Sequence, residues 1–238
     1  MQTNERHLNY TIVGTDTCVG KTVVSLLLMQ YLCQQGYQPQ YLKPIQTGCQ
    51  TPNDPESDAR FVYQHIPHLR NSKPADSVIY CLQPPKAPWF AARNTNTDID
   101  TNYLKNQIQS RLQSKHPVVM EAAGGLMVPI KDNILYIDLL SQMDSTPILV
   151  ARAGLGTINH TLLSINALVA RHIVPAGVIL SNPLSCSHEM VDENAEAIAH
   201  FSGIRILGIL DKINRFDQVS DTYLNIFSFV ADKQILFL

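Results

Sequence analysis

The sequence predicts an α/β protein in which helices cover both faces of a mostly parallel β-sheet, and two observations lead to this fold class. Runs such as YTIV (10–13), PVVMEA (117–122) and PILVA (147–151) are almost entirely apolar, as strands between two helical layers are, and the second of them contains an acid near its end. Segments with helical periodicity separate these runs, and this alternation is typical of parallel sheets. Because 238 residues without a visible linker suit one large domain, we expect a single domain over 1–238.

The remaining elements follow the same alternation along the chain. Further strands are predicted at YLK (41–43), SVIY (77–80), AGVILS (176–181) and RILGI (205–209). One helix is predicted at 22–34, and a second begins after an N-cap at Ser57 and runs through Phe61 and Tyr63. Four more are predicted over roughly 100–114, 136–143, 157–172 and 189–200. The first of these helices is apolar nearly all round, which predicts burial, and Gly36 suits its C-terminal end. The segments 67–98 and 211–238 show little periodicity.

Composition and charge argue against several classes of function. Hydrophobic residues make up 45% and charged residues 16%, as in globular proteins with a large core. The formal net charge of −2 predicts neither a nucleic-acid surface nor a membrane-binding face. The polar start of the chain lacks the apolar core of a secretory signal, and no apolar run reaches the length of a membrane span. Five scattered cysteines without a CxxC pair predict free thiols in a reduced, cytoplasmic protein.

A glycine-containing loop, GTDTCVGKTV (14–23), follows the first strand and opens the first helix. Backbone N–H groups and the helix dipole favour anions at such a junction. Lys21 can reach the terminal phosphates of a nucleotide, and the Thr22 hydroxyl can ligate Mg²⁺. The common GxxxxGK[ST] spacing would place a glycine at position 15, whereas the chain has Gly14. The alternative is an ordinary strand–turn–helix with a chance GKT sequence.

Two more strands deliver charged residues to the same predicted edge of the sheet, where α/β proteins bind their ligands. VVMEAAGG (118–125) places Glu121 there, where a carboxylate can bind Mg²⁺, and its glycines allow a ligand to approach the backbone. LKPIQTG (42–48) places Lys43 at this edge. Beside a phosphate loop, a second lysine can bracket a transferring phosphoryl group, although a snorkelling surface lysine is the alternative. Asp58 suits the first turn of a helix.

Taken in order, GTDTCVGKT, KPIQTG, SDA, EAAGG and GLGTINHTLLS resemble the dethiobiotin synthetase family over at least residues 10–185. The phosphate loop of that family has the same additional residue. The resemblance implies a P-loop-type ligase of biotin biosynthesis that converts 7,8-diaminopelargonate, CO₂ and Mg·ATP to dethiobiotin, ADP and phosphate. One amine becomes a carbamate, the carbamate takes the γ-phosphoryl group to form a carbamic-phosphoric anhydride, and the second amine closes the ureido ring.

The resemblance also implies a role for each matching residue. Lys21 and Lys43 would stabilise the transferring phosphoryl group. Mg²⁺ would lie among Thr22, Asp58 and Glu121. The nucleotide would contact Cys18, Val19, Gly20, Lys21, Thr22, Val23, Asp58, Glu121, Asn182 and Pro183, with Asn182 at the adenine. The diamine or its carbamate would contact Thr17, Thr47, Gly124, Gly125 and Asn159, the last from the second subunit of a homodimer.

The chain departs from the family pattern at four places. Cys18 stands where glutamate is frequent, Ala122 where glycine is usual, and Trp89 where histidine is usual. The sequence GILDK (208–212) lacks the proline of the family's Gly-x-Ile-Pro run, which borders the adenine. This last departure predicts a loosened base pocket that admits GTP or CTP.

Three other functions remain open at this point. A ParA/MinD-like ATPase switch, which assembles on DNA or membrane, would carry an additional lysine early in the phosphate loop, where this chain has Thr15 and Asp16. An amide-forming ligase of cobalt-free corrinoids would be a longer chain with an added glutaminase domain. A nucleotide-binding paralogue of the dethiobiotin synthetases with weakened catalysis would show departures such as those at 18, 122 and 211.

Overall fold

Seven parallel strands form the central sheet, as the alternating pattern predicts. The structure, a computed structural model, describes residues 8–230. Side by side, the strands lie in the order β3 (Val78–Leu82), β2 (Gln40–Thr47), β4 (Val118–Gly125), β1 (Asn9–Gly14), β7 (Thr146–Arg152), β8 (Gly177–Asn182) and β9 (Ile206–Asp211). Every neighbouring pair is parallel, so the carboxyl ends of all seven strands lie at one edge of the sheet.

Helices connect the strands over the described part of the chain. They are α1 (Lys21–Gln34), α2 (Asp58–His65), α3 (Pro88–Asn94), α4 (Thr101–Leu112), α5 (Tyr136–Leu140), α6 (Thr157–Val169), α7 (His188–Ser202) and α8 (Asp221–Leu224). A short antiparallel hairpin is formed by β5 (Pro129–Lys131) and β6 (Ile134–Leu135). None of the described helices is long and apolar enough to cross a membrane.

Both faces of the sheet are buried under helices, which explains why most strand positions are apolar. Side chains of successive strand residues point to opposite faces. In β4, Val119 packs in one apolar cluster with α1 residues such as Leu28, whereas Val118 and Met120 pack in a second cluster on the other face. The second cluster includes Leu104 of α4 and other helical residues. The predicted two-sided α/β arrangement is therefore confirmed.

The predicted helices and strands differ from the observed ones mainly at their ends. The helices expected at 100–114, 136–143 and 157–172 end earlier, at Leu112, Leu140 and Val169. In the last case His172 adopts a positive φ of 58°, which an α-helix does not accommodate. The strand expected at 77–80 begins at Val78, because Ser77 closes a 3-10 helix that starts at Pro74. The strand expected at 205–209 extends to Asp211.

The segments without clear periodicity contain elements that depend on tertiary contacts. In segment 67–98, α3 begins with Pro88, which suits the first position of a helix. In segment 211–238, α8 is followed by a 3-10 helix at Asn225–Val230, whose Phe227 is fully buried beside Tyr31 of α1. The rest of that segment, 231–238, lies outside the described residues.

Candidate active site

The phosphate-loop sequence forms a tight turn between β1 and α1. A Cβ placed on Gly14 would lie 2.8 Å from the Asp16 carbonyl oxygen and 2.9 Å from a Val19 methyl group, so a larger residue does not fit. Gly20 precedes the helix with a φ of 97°, which favours glycine. The loop therefore needs glycine at 14 rather than at 15, and this requirement accounts for the unusual spacing. The Lys21 ammonium folds back over the loop and donates to the Asp16 carbonyl at 2.8 Å.

A buried charged cluster lies beside this loop. Lys43 Nζ is 2.7 Å from Asp58 Oδ2 and 2.8 Å from Glu121 Oε1. The Thr22 hydroxyl is 2.7 Å from Asp58 Oδ1 and 2.9 Å from Glu121 Oε1. These four side chains come from α1, β2, α2 and β4, and the sheet order brings them to one place. The structure thus brings together the three residues predicted to hold Mg²⁺ and one of the two lysines predicted to contact the phosphoryl group.

Lys43 and Asp58 each favour the charged form of the other. Burial disfavours the Lys43 ammonium, but the Glu121 and Asp58 carboxylates outweigh burial and raise the pKa of Lys43 above its ordinary value. Burial likewise disfavours the Asp58 carboxylate, but the neighbouring Lys43 lowers the pKa of Asp58. Lys21 differs, because burial and then the nearby Lys43 charge lower its pKa.

Two residues that sequence reasoning missed fix the orientation of Glu121. The Tyr41 hydroxyl donates to Glu121 Oε2 at 2.8 Å, and the Ser25 hydroxyl lies 3.0 Å from the same oxygen. Tyr41 lies two residues before Lys43, so both face the same side of β2. Ser25 lies one helical turn after Lys21, whose carbonyl it also approaches at 2.9 Å. Both spacings, two residues along a strand and four along a helix, can be read from the sequence once Lys21 and Lys43 are taken as site residues.

The donors in this cluster fit Mg²⁺. Carboxylate and hydroxyl oxygens are the hard ligands that this ion prefers, and the Thr22 hydroxyl lies within hydrogen-bond distance of both the Asp58 and the Glu121 carboxylates. The two carboxylates already surround a positive charge, the Lys43 ammonium, so their position stabilises a cation.

The predicted substrate-contacting residues are divided among the phosphate loop, the ends of β2 and β4, and α6. A Cβ on Gly124 would be 3.5 Å from a Thr17 methyl group, and a Cβ on Gly125 would be 3.4 Å from the Thr15 carbonyl oxygen. This glycine pair therefore packs directly against the phosphate loop. Thr17 is exposed, and Thr47 ends β2 at the same edge of the sheet. Asn159 is exposed near the start of α6 and is not part of the charged cluster.

The residues predicted to contact the nucleotide lie in two places, the phosphate loop with the start of α1 and the end of β8. Cys18 is exposed within the loop and Val19 is buried beneath it, while Val23 is half-buried in α1. Asn182 is buried at the end of β8, and Pro183 follows it in an exposed turn. A Cβ on Gly20 would lie 2.8 Å from the Ser181 hydroxyl, so the loop touches the end of β8 directly.

The sequence is similar to those of several known proteins, including enzymes. A family model described as AAA domain matches residues 9–220. The chain is 39% identical over 196 residues to the ATP-dependent dethiobiotin synthetase BioD of Paramagnetospirillum magneticum, covering 82% of this chain and 84% of that protein. It is 41% identical over 206 residues to the biotin biosynthesis bifunctional protein BioCD of Bordetella avium, covering 87% of this chain. The chain spans 40% of the length of that bifunctional relative.

Solved structures with a similar fold are more distant in sequence. The MinC:MinD cell division protein complex of Aquifex aeolicus matches with a TM-score of 0.60 and 14% identity over 97% of this chain and 98% of that chain. A putative plasmid partition protein of Borrelia burgdorferi bound to AMPPNP matches with a TM-score of 0.61 and 12% identity, over 95% of this chain and 99% of that chain. At these identities the similarity establishes the α/β P-loop fold alone.

Proposed function

Because the chain belongs to the dethiobiotin synthetase family, we propose that it forms dethiobiotin from 7,8-diaminopelargonate, CO₂ and ATP with Mg²⁺, releasing ADP and phosphate. The observation that carries this proposal is the buried contact of Lys43 with Asp58 and Glu121 beside the phosphate loop. A nucleotide-binding loop alone would suit many proteins. A second buried lysine, on strand β2 rather than at the start of α1, suits a transfer between two anions.

Nucleotide binding follows from the loop geometry. The backbone N–H groups of the loop and of the α1 N-terminus would bind the phosphates, and Lys21 would exchange the Asp16 carbonyl for a phosphate oxygen. Thr22, Asp58 and Glu121 would hold Mg²⁺, which when bound neutralises part of the phosphate charge.

The transfer step calls for positive charge at the point where two anions meet. An amine of the substrate adds to CO₂ and loses a proton to give a carbamate. A carbamate oxygen then forms a bond to the γ-phosphorus as the bond to ADP breaks. Negative charge builds between the two groups, and a positioned ammonium such as that of Lys43 stabilises it. The second amine attacks the carbamate carbon, closes the ureido ring and expels phosphate.

Substrate binding would involve the loop and a second subunit. Thr17, Thr47, Gly124 and Gly125 would contact the diamine or its carbamate. Asn159 would contact the substrate of the neighbouring subunit in a homodimer. This part of the proposal is supported by Leu155 and Leu163, which are 95% and 60% exposed and lie four residues before and after Asn159. Leu163 lies one helical turn after Asn159 in α6, and Leu155 lies in the loop that precedes this helix. Exposed apolar side chains on both sides of a polar one suit a subunit contact.

We further propose that residues 1–238 act as one ligase domain in the cytoplasm. All five cysteines are free thiols, which suits a reducing compartment. The ParA/MinD-like alternative rests on similarity of fold at 12–14% identity, whereas named dethiobiotin synthetases reach 39% over most of both chains.

The test is to incubate the protein with diaminopelargonate, bicarbonate and Mg·ATP and to detect dethiobiotin by mass spectrometry. Omission of the diamine or of ATP provides the controls. We expect dethiobiotin and ADP in equal amounts. ATP binding without any dethiobiotin would identify a nucleotide-binding paralogue instead, and ATP hydrolysis stimulated by DNA or vesicles would identify an ATPase switch.

A further inference from the structure

The carboxyl ends of β8 and β9 form a polar corner of the site. Asn182 and Asp211 are paired residues at these two strand ends. The Asn182 amide nitrogen donates to Asp211 Oδ1 at 2.9 Å and to the Cys186 carbonyl at 3.3 Å. Its amide oxygen accepts the Cys186 N–H at 2.8 Å. Asn182 is only 3% exposed, so these contacts define how its side chain is oriented.

This corner lies where the base of a nucleotide held by the phosphate loop would lie. Lys43 and Glu121 belong to β2 and β4, on one side of β1, and mark the terminal-phosphate end of the site. The ends of β8 and β9 lie on the other side of β1, two and three strands away. At roughly 4.8 Å per strand they are about 10–15 Å from β1, which is comparable to the length of an extended nucleoside triphosphate. The contact between Gly20 and Ser181 joins the loop to this corner.

In this corner, Asn182 and Asp211 can accept hydrogen bonds from a ligand, but neither side chain has a free donor. Both N–H groups of the Asn182 amide are already used, by Asp211 and by the Cys186 carbonyl. A carboxylate only accepts. Within residues 8–230, Asp211 Oδ2 makes no hydrogen bond, and Asn182 Oδ1 keeps one lone pair. A base recognised here must therefore present N–H groups.

We propose that Asp211 makes this corner a guanine-selective base site, so that guanine nucleotides bind more tightly than adenine or cytosine nucleotides. Guanine presents N1–H and N2–H side by side, which matches the two oxygens of a carboxylate in a charge-assisted pair. Adenine and cytosine each present an exocyclic N–H beside a ring nitrogen lone pair, which the carboxylate repels. The inference rests on the proposed function of the phosphate loop and deepens it, because GTP would be the tighter-binding phosphoryl donor and ATP the weaker one.

Isothermal titration of GDP, ADP and CDP in the presence of Mg²⁺ tests this proposal. We expect GDP to bind about 10- to 100-fold more tightly than ADP or CDP, the difference that hydrogen bonds to a charged group produce. Asp211→Asn should remove this advantage. Asp217→Asn is the matched control, because Asp217 is an exposed aspartate that pairs with Arg215, and it should leave all three affinities unchanged. ADP binding as tightly as GDP to the unaltered protein would overturn the proposal.

A xanthine nucleotide separates a changed base preference from a misfolded variant. Xanthine carries a carbonyl where guanine carries its N2 amine, so an amide at position 211 can donate to it. Asp211→Asn should therefore bind xanthosine diphosphate more tightly than GDP, a gain that a damaged fold cannot produce. A folded variant that keeps the original GDP preference would count against a role for Asp211.

These titrations contain no diamine, so they are independent of ring closure. If dethiobiotin forms with ATP while the protein shows no guanine preference, the base assignment is wrong and the proposed function stands. If GDP is preferred but no dethiobiotin forms with either triphosphate, the proposed function is wrong and the base assignment stands.

Discussion

The Lys43 ammonium lies 2.8 Å from the Glu121 carboxylate, and both side chains are almost completely buried. A buried ion pair is retained without penalty only when further hydrogen bonds satisfy its members. Tyr41 and Ser25 hydrogen-bond the second oxygen of Glu121, and Asp58 pairs with Lys43. The cluster therefore holds a cation and two carboxylates in fixed positions, and changes to each member test different parts of the proposed reaction.

Lys43→Gln should lower turnover more than it lowers nucleotide affinity. The substitution removes a positioned charge, and loss of such a charge typically costs about 10²–10³ in turnover. Lys21 remains to bind the phosphates, so the affinity for Mg·ATP should change little. Dethiobiotin formation and nucleotide titration on the same variant provide the measurement. Lys86→Gln, at an exposed lysine that contacts Asn94, is the control. A loss confined to nucleotide binding would show that Lys43 does not act on the transferring group.

Glu121→Gln should sharply reduce phosphate release at saturating ATP and raise the Mg²⁺ concentration needed for activity. Glutamine keeps the size of the side chain and can still accept hydrogen bonds from Tyr41 and Ser25, but it lacks the charge that binds a divalent cation. The measurement is phosphate release over a Mg²⁺ titration, with thermal unfolding as a check on the fold. Turnover equal to that of the unaltered protein at every Mg²⁺ concentration would remove Glu121 from the metal site.

Asn159→Ala should weaken binding of the diamine and leave nucleotide binding intact. Asn159 is exposed in the single chain, so a role in substrate binding requires a second subunit. The diamine KM and the nucleotide Kd provide the two readouts. Sedimentation of the unaltered protein should show a dimer, and a fully active monomer would rule out this arrangement.

The same interface predicts the effect of a charge on α6. Leu163→Glu should convert the dimer to a monomer and raise the diamine KM, because it places a carboxylate within an apolar contact. Tyr37→Glu, at an exposed apolar residue outside this helix, should leave the dimer intact. If both variants sediment like the unaltered protein, the subunit contact lies elsewhere.

Cys18 should be the first cysteine to react with iodoacetamide at pH 8, and Mg·ATP should protect it. Cys18 is exposed in the phosphate loop, where a bound nucleotide would cover it. Burial raises the pKa of Cys49 to about 12, so little of its reactive thiolate exists at pH 8. Peptide mass spectrometry measures the order of modification. Alkylation of Cys49 ahead of Cys18, or a rate at Cys18 that is unaffected by nucleotide, contradicts the assignment.

Local patterns in the sequence were enough to identify the fold class and to predict that Lys21 and Glu121 lie at one edge of the sheet, whereas the metal-site role of Asp58 was implied only by the family resemblance. Uninterrupted apolar runs predicted strands buried on both faces, because a parallel sheet excludes water from either side. Lys43 and Glu121 were predicted to lie together because their strands run parallel in one sheet. The prediction that Lys43 ends its strand was wrong, because β2 continues through Pro44 to Thr47. The glycine of the phosphate loop was found at position 14, but the steric reason for that position was not visible in the sequence.

Only the tertiary structure decided which of these residues touch. Asn182 and Asp211 are 29 residues apart in the chain, and Tyr41 and Glu121 are 80 apart. Their contacts depend on strand order and register, which residue periodicity does not encode. The packing of Phe227 against α1 was equally invisible, because a short 3-10 segment carries no repeating pattern and is stabilised by the surface that it covers. Periodicity reports the local environment of one element, whereas a binding site depends on how separate elements meet.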